Sequence, residues 1–121
     1  MESFIVCRIF TNAARMTTAS SASSVAMVPE AIVLLVARLS AEASVRRVIL
    51  FGSRGRGDAR PRADVDLAVE APGASPRDWL RMVEMAEHAE TLLAIDMVRL
   101  EEAPSELRER IRTEGRTLFE R

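Results

Sequence analysis

Two apolar, β-branched runs, VRRVILF at 45–51 and DVDLAVE at 64–70, are separated by GSRGRGDARPRA, a stretch with three glycines and one proline. That composition interrupts regular structure, so each run reads as a strand and the stretch between them as a loop with one helical turn. A chain built this way needs a sheet, and a sheet needs helices to cover it. Helical spacing supplies them. Pro29 followed by Ile32, Leu35, Val36 and Leu39 marks an apolar stripe over about 29–43. Ser75 and Pro76 make an N-cap and first turn for a helix reaching about Glu90, with Trp79, Val83 and Ala86 toward the core. LLAIDMV at 92–98 reads as a third strand, buried except for its carboxylate. Pro104 and Ser105 open a last helix with Leu107 and Ile111, Gly115 ends it, and RTLFE is left for a short edge strand or a tail. The expected order is helix, strand, strand, helix, strand, helix: an α+β or α/β sheet with helices on it.

Composition narrows what such a domain does. At 121 residues, 48% apolar and 4% aromatic, the chain builds one core from Val, Leu, Ile, Ala and Met. Its longest apolar run, Ala31 to Ala37, is far short of the roughly 20 residues of a membrane span, so no membrane association is expected. A single cysteine, Cys7, leaves no intramolecular disulfide and no cysteine metal cluster, which fits a reducing, cytoplasmic compartment. All 17 basic residues are arginine, so Schiff-base chemistry and a P-loop lysine are excluded. A net charge of −1 argues against direct nucleic-acid binding. The charge is uneven, however: Phe51 to Arg62 holds four arginines and one aspartate, a pattern suited to a local anion site. Residues 1–26, rich in Ser, Ala and Thr with one acid, are expected to be a disordered extension of a domain spanning 27–121. Arg8, Arg15 and the serines also resemble a transit peptide, and Met16 or Met27 would serve as alternative starts.

The chemistry concentrates around the loop. Asp64 and Asp66, two apart in a strand, project from one face of the sheet. Asp96 lies within an apolar strand, where an unpaired charge costs several kcal/mol, on the order of 2–5. Three acids aimed at one place call for a cation, and hard oxygen ligands suit Mg²⁺ held jointly with phosphate oxygens. Upstream, Gly52-Ser53 follows a strand and opens a turn, so backbone N–H groups and the Ser53 hydroxyl face an anion, with Arg54 and Arg56 adding charge. A phosphate cradle beside a carboxylate cluster is equipment for phosphoryl or nucleotidyl transfer.

Gly52-Ser53, ten residues from Arg54 to Ala63, then Asp64-Val65-Asp66 resembles the signature of the DNA polymerase beta-like nucleotidyltransferase superfamily. The longer string GSRGRGDARPRADVDLAV is similar to the minimal nucleotidyltransferases, small antitoxin-type members paired with a HEPN-domain protein. IDMV around Asp96 resembles the family's third-carboxylate strand. The resemblance implies a small mixed sheet flanked by helices, two Mg²⁺ ions and ATP as donor, with pyrophosphate leaving. It implies further that Asp64 and Asp66 hold both ions, that Asp96 ligates one and assists deprotonation of the attacking hydroxyl, and that Gly52 and Ser53 bind the triphosphate. The implied acceptor is a tyrosine hydroxyl of a HEPN toxin, in a hetero-oligomer with it. The alternatives are a non-catalytic antitoxin acting by complex formation, and transfer to a small molecule such as an aminoglycoside, which normally requires a further domain. One departure is Ala63, where the family often carries a polar residue.

The remaining residues have plainer expectations. His88 sits among Glu84, Glu87 and Glu90 as a surface residue, and Met82, Met85 and Met97 fill core or interface. Arg60 and Arg62 either guide a nucleotide or solvate the loop. ELRERIRTEGR reads as a solvated helix face.

Overall fold

A computed structural model describes residues 6–10 and 28–121. Its centre is one five-stranded mixed sheet in the order β1-β4-β3-β2-β5, with β1 Val6–Phe10, β2 Arg47–Phe51, β3 Val65–Glu70, β4 Ala94–Arg99 and β5 Arg116–Glu120. The hairpin-like pair β2 and β3 runs antiparallel, whereas β3 and β4 run parallel, as a strand–helix–strand crossover requires. The crossover is α3, Pro76–Glu87; the others are α1, Glu30–Ser40, the short α2, Gly52–Arg56, and α4, Ser105–Glu114. A 3₁₀ turn, Leu100–Glu102, joins β4 to α4.

Strand alternation divides the apolar residues between two faces. Val48, Leu50, Val65, Leu67, Val69, Ile95 and Met97 form one face, covered by Ile32, Leu35 and Leu39 of α1 and by Trp79, Met82, Val83 and Ala86 of α3. The other face is thinner. Ile49, Phe51, Ala68 and Val98 meet Ala103 and Ile111, so α4 covers only part of it. The carboxylates Asp66 and Asp96 lie at alternate positions with Ala68 and Val98, on this less covered face.

Local chemistry accounts for the boundaries. The Ser75 hydroxyl accepts from the Asp78 amide and the Asp78 carboxylate accepts from the Ser75 amide, each at 3.0 Å, which closes a capping box at the start of α3. The third strand begins at Ala94, two residues later than expected, because Thr91 Oγ1 accepts from Leu93 N in a turn. Leu92, expected to be buried, is consequently 84% exposed. RTLFE takes the edge-strand alternative as β5.

A correction falls at the N-terminus. Val6–Phe10, within the segment expected to be disordered, forms β1 and pairs antiparallel with the whole of β4. Val6 and Ile9 give this short run β-branched character, and β4 offers an edge that would otherwise stay open. The rest of that extension lies outside the described residues. No helix among the described residues is long and apolar enough to cross a membrane.

Candidate active site

Strand register brings the acids together. Phe51 of β2 and Asp96 of β4 are the direct neighbours of Asp66 on either side. Because Phe51 pairs with Asp66, the chain leaving β2 turns directly over the Asp66 carboxylate. Gly52 makes that turn at φ +72°, and a Cβ at this position would stand 2.3 Å from Asp66 Oδ2. Glycine is therefore required twice, for the left-handed backbone and for the close approach. Asp64 directly precedes β3 and its charge reaches Asp66.

Asp66 is pushed up from its ordinary 3.8 to about 6. Burial contributes most, followed by the negative charge of Asp96, a hydrogen bond with Asp96 and the charge of Asp64, while Arg110 opposes the shift. In backbone register the next strand places Arg8 opposite Asp96.

Ser53 lies beside a cleft of about 430 Å³ lined by Ser53, Arg56, Asp58, Arg60, Arg62 and Ala63. Three arginines against one aspartate make it a basic recess next to the carboxylates. The leading N–H groups of α2, like those of any helix, have no intrahelical acceptors, and no N-cap side chain accepts from them. Arg56 faces Asp58 at 3.2 Å and Glu114 at 3.2 Å. Arg54 departs from expectation. It is 8% exposed, and its guanidinium donates to the Ala63 carbonyl from Nε (3.2 Å) and Nη2 (3.0 Å) and to the Pro61 carbonyl from Nη2 (3.0 Å). The structure thus brings Gly52, Ser53, Arg56 and the three aspartates to one region and turns Arg54 into the loop. A buried guanidinium meets the loop carbonyls that water no longer solvates.

Two residues of the site escape a linear reading. Glu114 Oε1 stands 3.2 Å from Arg56 Nη1 and 3.8 Å from Arg110 Nη2, linking α2 to α4 and presenting Arg110 toward Asp66. The contact is close because Gly55 lies between: a Cβ there would meet Leu50 O at 2.6 Å and Glu114 O at 2.7 Å. The only sequence signal was an arginine-rich helix one turn before a glycine. His88, as expected, is exposed, its ring Nδ1 lying 2.8 Å from Glu84 O.

Among the described residues no group of three or more His, Cys, Asp or Glu side chains is arranged to hold a metal ion by itself. The donor set nevertheless fits a divalent cation shared with phosphate. Its atoms are hard carboxylate oxygens, and after burial, the main cause of the raised Asp66, comes the repulsion of Asp96 and Asp64, which a cation relieves.

A glycine turn packed on a carboxylate, a second carboxylate in register and a basic recess lined by the same turn lie on a mixed sheet, an arrangement of the class of the nucleotidyltransferases. Residues 35–121 match the family model described as polymerase beta, nucleotidyltransferase, and the chain belongs to that family. Among solved structures it is similar to a toxin–antitoxin crystallised with AMP-PNP: 21% identity, TM-score 0.53, covering 75% of this chain and 72% of that one. It is likewise similar to a mutant of the toxin–antitoxin MntA-HpeT with two aspartates, two positions apart, changed to glutamate. There the identity is 19% and the TM-score 0.52, over 74% of this chain and 71% of that one. At these identities the likeness concerns the fold. A comparison with curated proteins gives no match.

Proposed function

We propose that this protein transfers AMP from ATP to a hydroxyl, a tyrosine of a partner HEPN-domain toxin, and thereby silences that partner as its antitoxin. The observation that carries the reading is the packing of the Gly52 turn on Asp66 with Asp96 in register beside it, since a turn of this kind beside a carboxylate pair suits a metal-bound phosphate. Two Mg²⁺ ions held by Asp64, Asp66 and Asp96 together with phosphate oxygens would supply Lewis-acid polarisation of the reacting phosphate. The N–H groups of the Gly52-Ser53 turn and the Ser53 hydroxyl bind the triphosphate, and Arg56 with its neighbours in the basic recess balances its charge. Asp96 accepts the proton of the attacking hydroxyl. The new bond joins that oxygen to the α-phosphorus, the bond to the β-phosphate bridging oxygen breaks, and pyrophosphate leaves. Support for the donor and partner comes from the relatives, one a toxin–antitoxin with an ATP analogue, the other altered at two aspartates with the spacing of Asp64 and Asp66.

The test is intact mass spectrometry of a HEPN partner co-expressed with wild-type protein or with the Asp64→Asn/Asp66→Asn variant. Added mass in units of AMP that depends on both aspartates supports transfer. An unmodified partner that co-purifies with both forms refutes it in favour of neutralisation by binding. Nucleotidylated aminoglycoside formed without any partner refutes the protein acceptor.

A further inference from the structure

We propose that Arg54 is a positioning residue, locking Asp64 to the phosphate turn so that cradle and carboxylate form one rigid body. The inference rests on the nucleotidyltransferase reading above and adds to it a role for a buried arginine whose guanidinium donates to backbone carbonyls of the loop. Its basis is the way the loop between α2 and β3 is held. At the start of the loop, Gly57 N and Asp58 N both donate to Ser53 O at 3.0 Å. At its end the Arg54 guanidinium grips Ala63 O with two nitrogens and Pro61 O with one. Between these anchors Arg60, Pro61 and Arg62 lie exposed, and a turn bond from Ala63 N to Arg60 O at 3.0 Å folds them back.

The carbonyl being held matters. Ala63 C=O belongs to the same planar peptide unit as the Asp64 N–H, so fixing that oxygen fixes the plane from which Asp64 Cα departs. Arg54 itself stands two residues after Gly52, in the helix whose first turn forms the cradle. One side chain therefore spans both halves of the site, and it does so although Asp64 is ten residues away in sequence. Burial lowers the basicity of the guanidinium while the charge of Asp64 raises it, so the cation that holds the loop is also near enough to feel that carboxylate. Only arginine suits this place, because its planar fork reaches two carbonyls at once where a lysine ammonium offers one point charge.

The experiment compares the full chain with Arg54→Lys by Mn²⁺ titration, read from the electron paramagnetic resonance of free Mn²⁺, and by calorimetric titration with metal-free tripolyphosphate. Loss of a group that orients a metal ligand weakens metal binding by about 10-fold or more, so the expected result is a Mn²⁺ Kd raised by about tenfold with tripolyphosphate affinity unchanged. Weaker tripolyphosphate binding with unchanged Mn²⁺ overturns the proposal by making Arg54 a phosphate ligand. Loss of both, or of neither with only a lower Tm, overturns it by making the role general to the fold. Should the variant not fold, the wild type decides. An Arg54 Nε–H resonance protected from solvent and unmoved by tripolyphosphate supports the lock, and one that exchanges freely or shifts with tripolyphosphate overturns it. Wild-type protein that fails to bind Mn²⁺ defeats the nucleotidyltransferase reading itself, which separates the two failures.

Discussion

Replacing Asp66 by Asn is expected to stabilise the metal-free protein at neutral pH while removing a carboxylate on which the proposed transfer depends. In the folded chain Asp66 is pushed from 3.8 to about 6 by burial and by Asp96 and Asp64. The folded state thus holds its proton more tightly than the unfolded chain does. Below the unfolded value both states are protonated and the site costs nothing. As pH rises through the interval from about 4 to about 6 the unfolded chain ionises first, so stability falls, and above that interval the full cost is present. Two pH units at about 1.4 kcal/mol each give an upper bound near 3 kcal/mol, and screening by the solvent that reaches this face reduces it to about 1–2 kcal/mol. Asn is isosteric, keeps within the space beneath Gly52 and donates to Asp96 as a protonated Asp66 does. For a domain of this size about 1–2 kcal/mol is a Tm increase on the order of 4–8 °C. Thermal unfolding followed by circular dichroism in chelator, at pH 7.5 and at pH 4, measures it. The gain should be nearly gone at pH 4. A variant no more stable than wild type at pH 7.5, or equally stabilised at both pH values, refutes the reasoning.

Two other substitutions and one deletion probe separate links. Gly52→Ala puts a methyl group 2.3 Å from Asp66 Oδ2 at a left-handed φ and is expected to cost about 1–3 kcal/mol; a denaturation midpoint equal to wild type contradicts the close approach. Arg110→Gln removes the cation that opposes the Asp66 shift, so carboxyl NMR should show Asp66 titrating at still higher pH, and an unmoved titration refutes the proximity of α4. Deleting residues 1–10 uncovers the edge of β4 and is expected to lower Tm and promote self-association through strand pairing, visible by size-exclusion chromatography with light scattering. Unchanged Tm and an unchanged elution profile would show that β1 contributes nothing to the sheet.

The linear chain contained much of this protein because its decisive elements are local. Apolar, β-branched runs located β2 and β3, and period-3.6 spacing with helix-start residues located α1, α3 and α4, to within a few residues; Ser75-Pro76 marked its helix start through chemistry confined to four positions. The Gly-Ser turn and Asp64-x-Asp66 were legible for the same reason. What the sequence left open is whatever depends on strand order and on which way a long side chain turns. Asp96 reaches Asp66 only because β4 pairs parallel to β3 in the register Asp66 to Asp96, and no spacing along the chain fixes that. Arg54 reads as a cation beside phosphate, yet folding the loop brings Ala63 and Pro61 carbonyls onto its guanidinium, and burial without water makes those bonds obligatory. Arg110 and Glu114 read as solvated surface until α4 crosses the open face of the sheet. Val6–Phe10 is too short to signal a strand by itself and becomes one because β4 supplies the partner backbone. Local composition and periodicity determined most of the strands and helices; pairing across the sheet, a non-local event, added β1 and decided which side chains share a site.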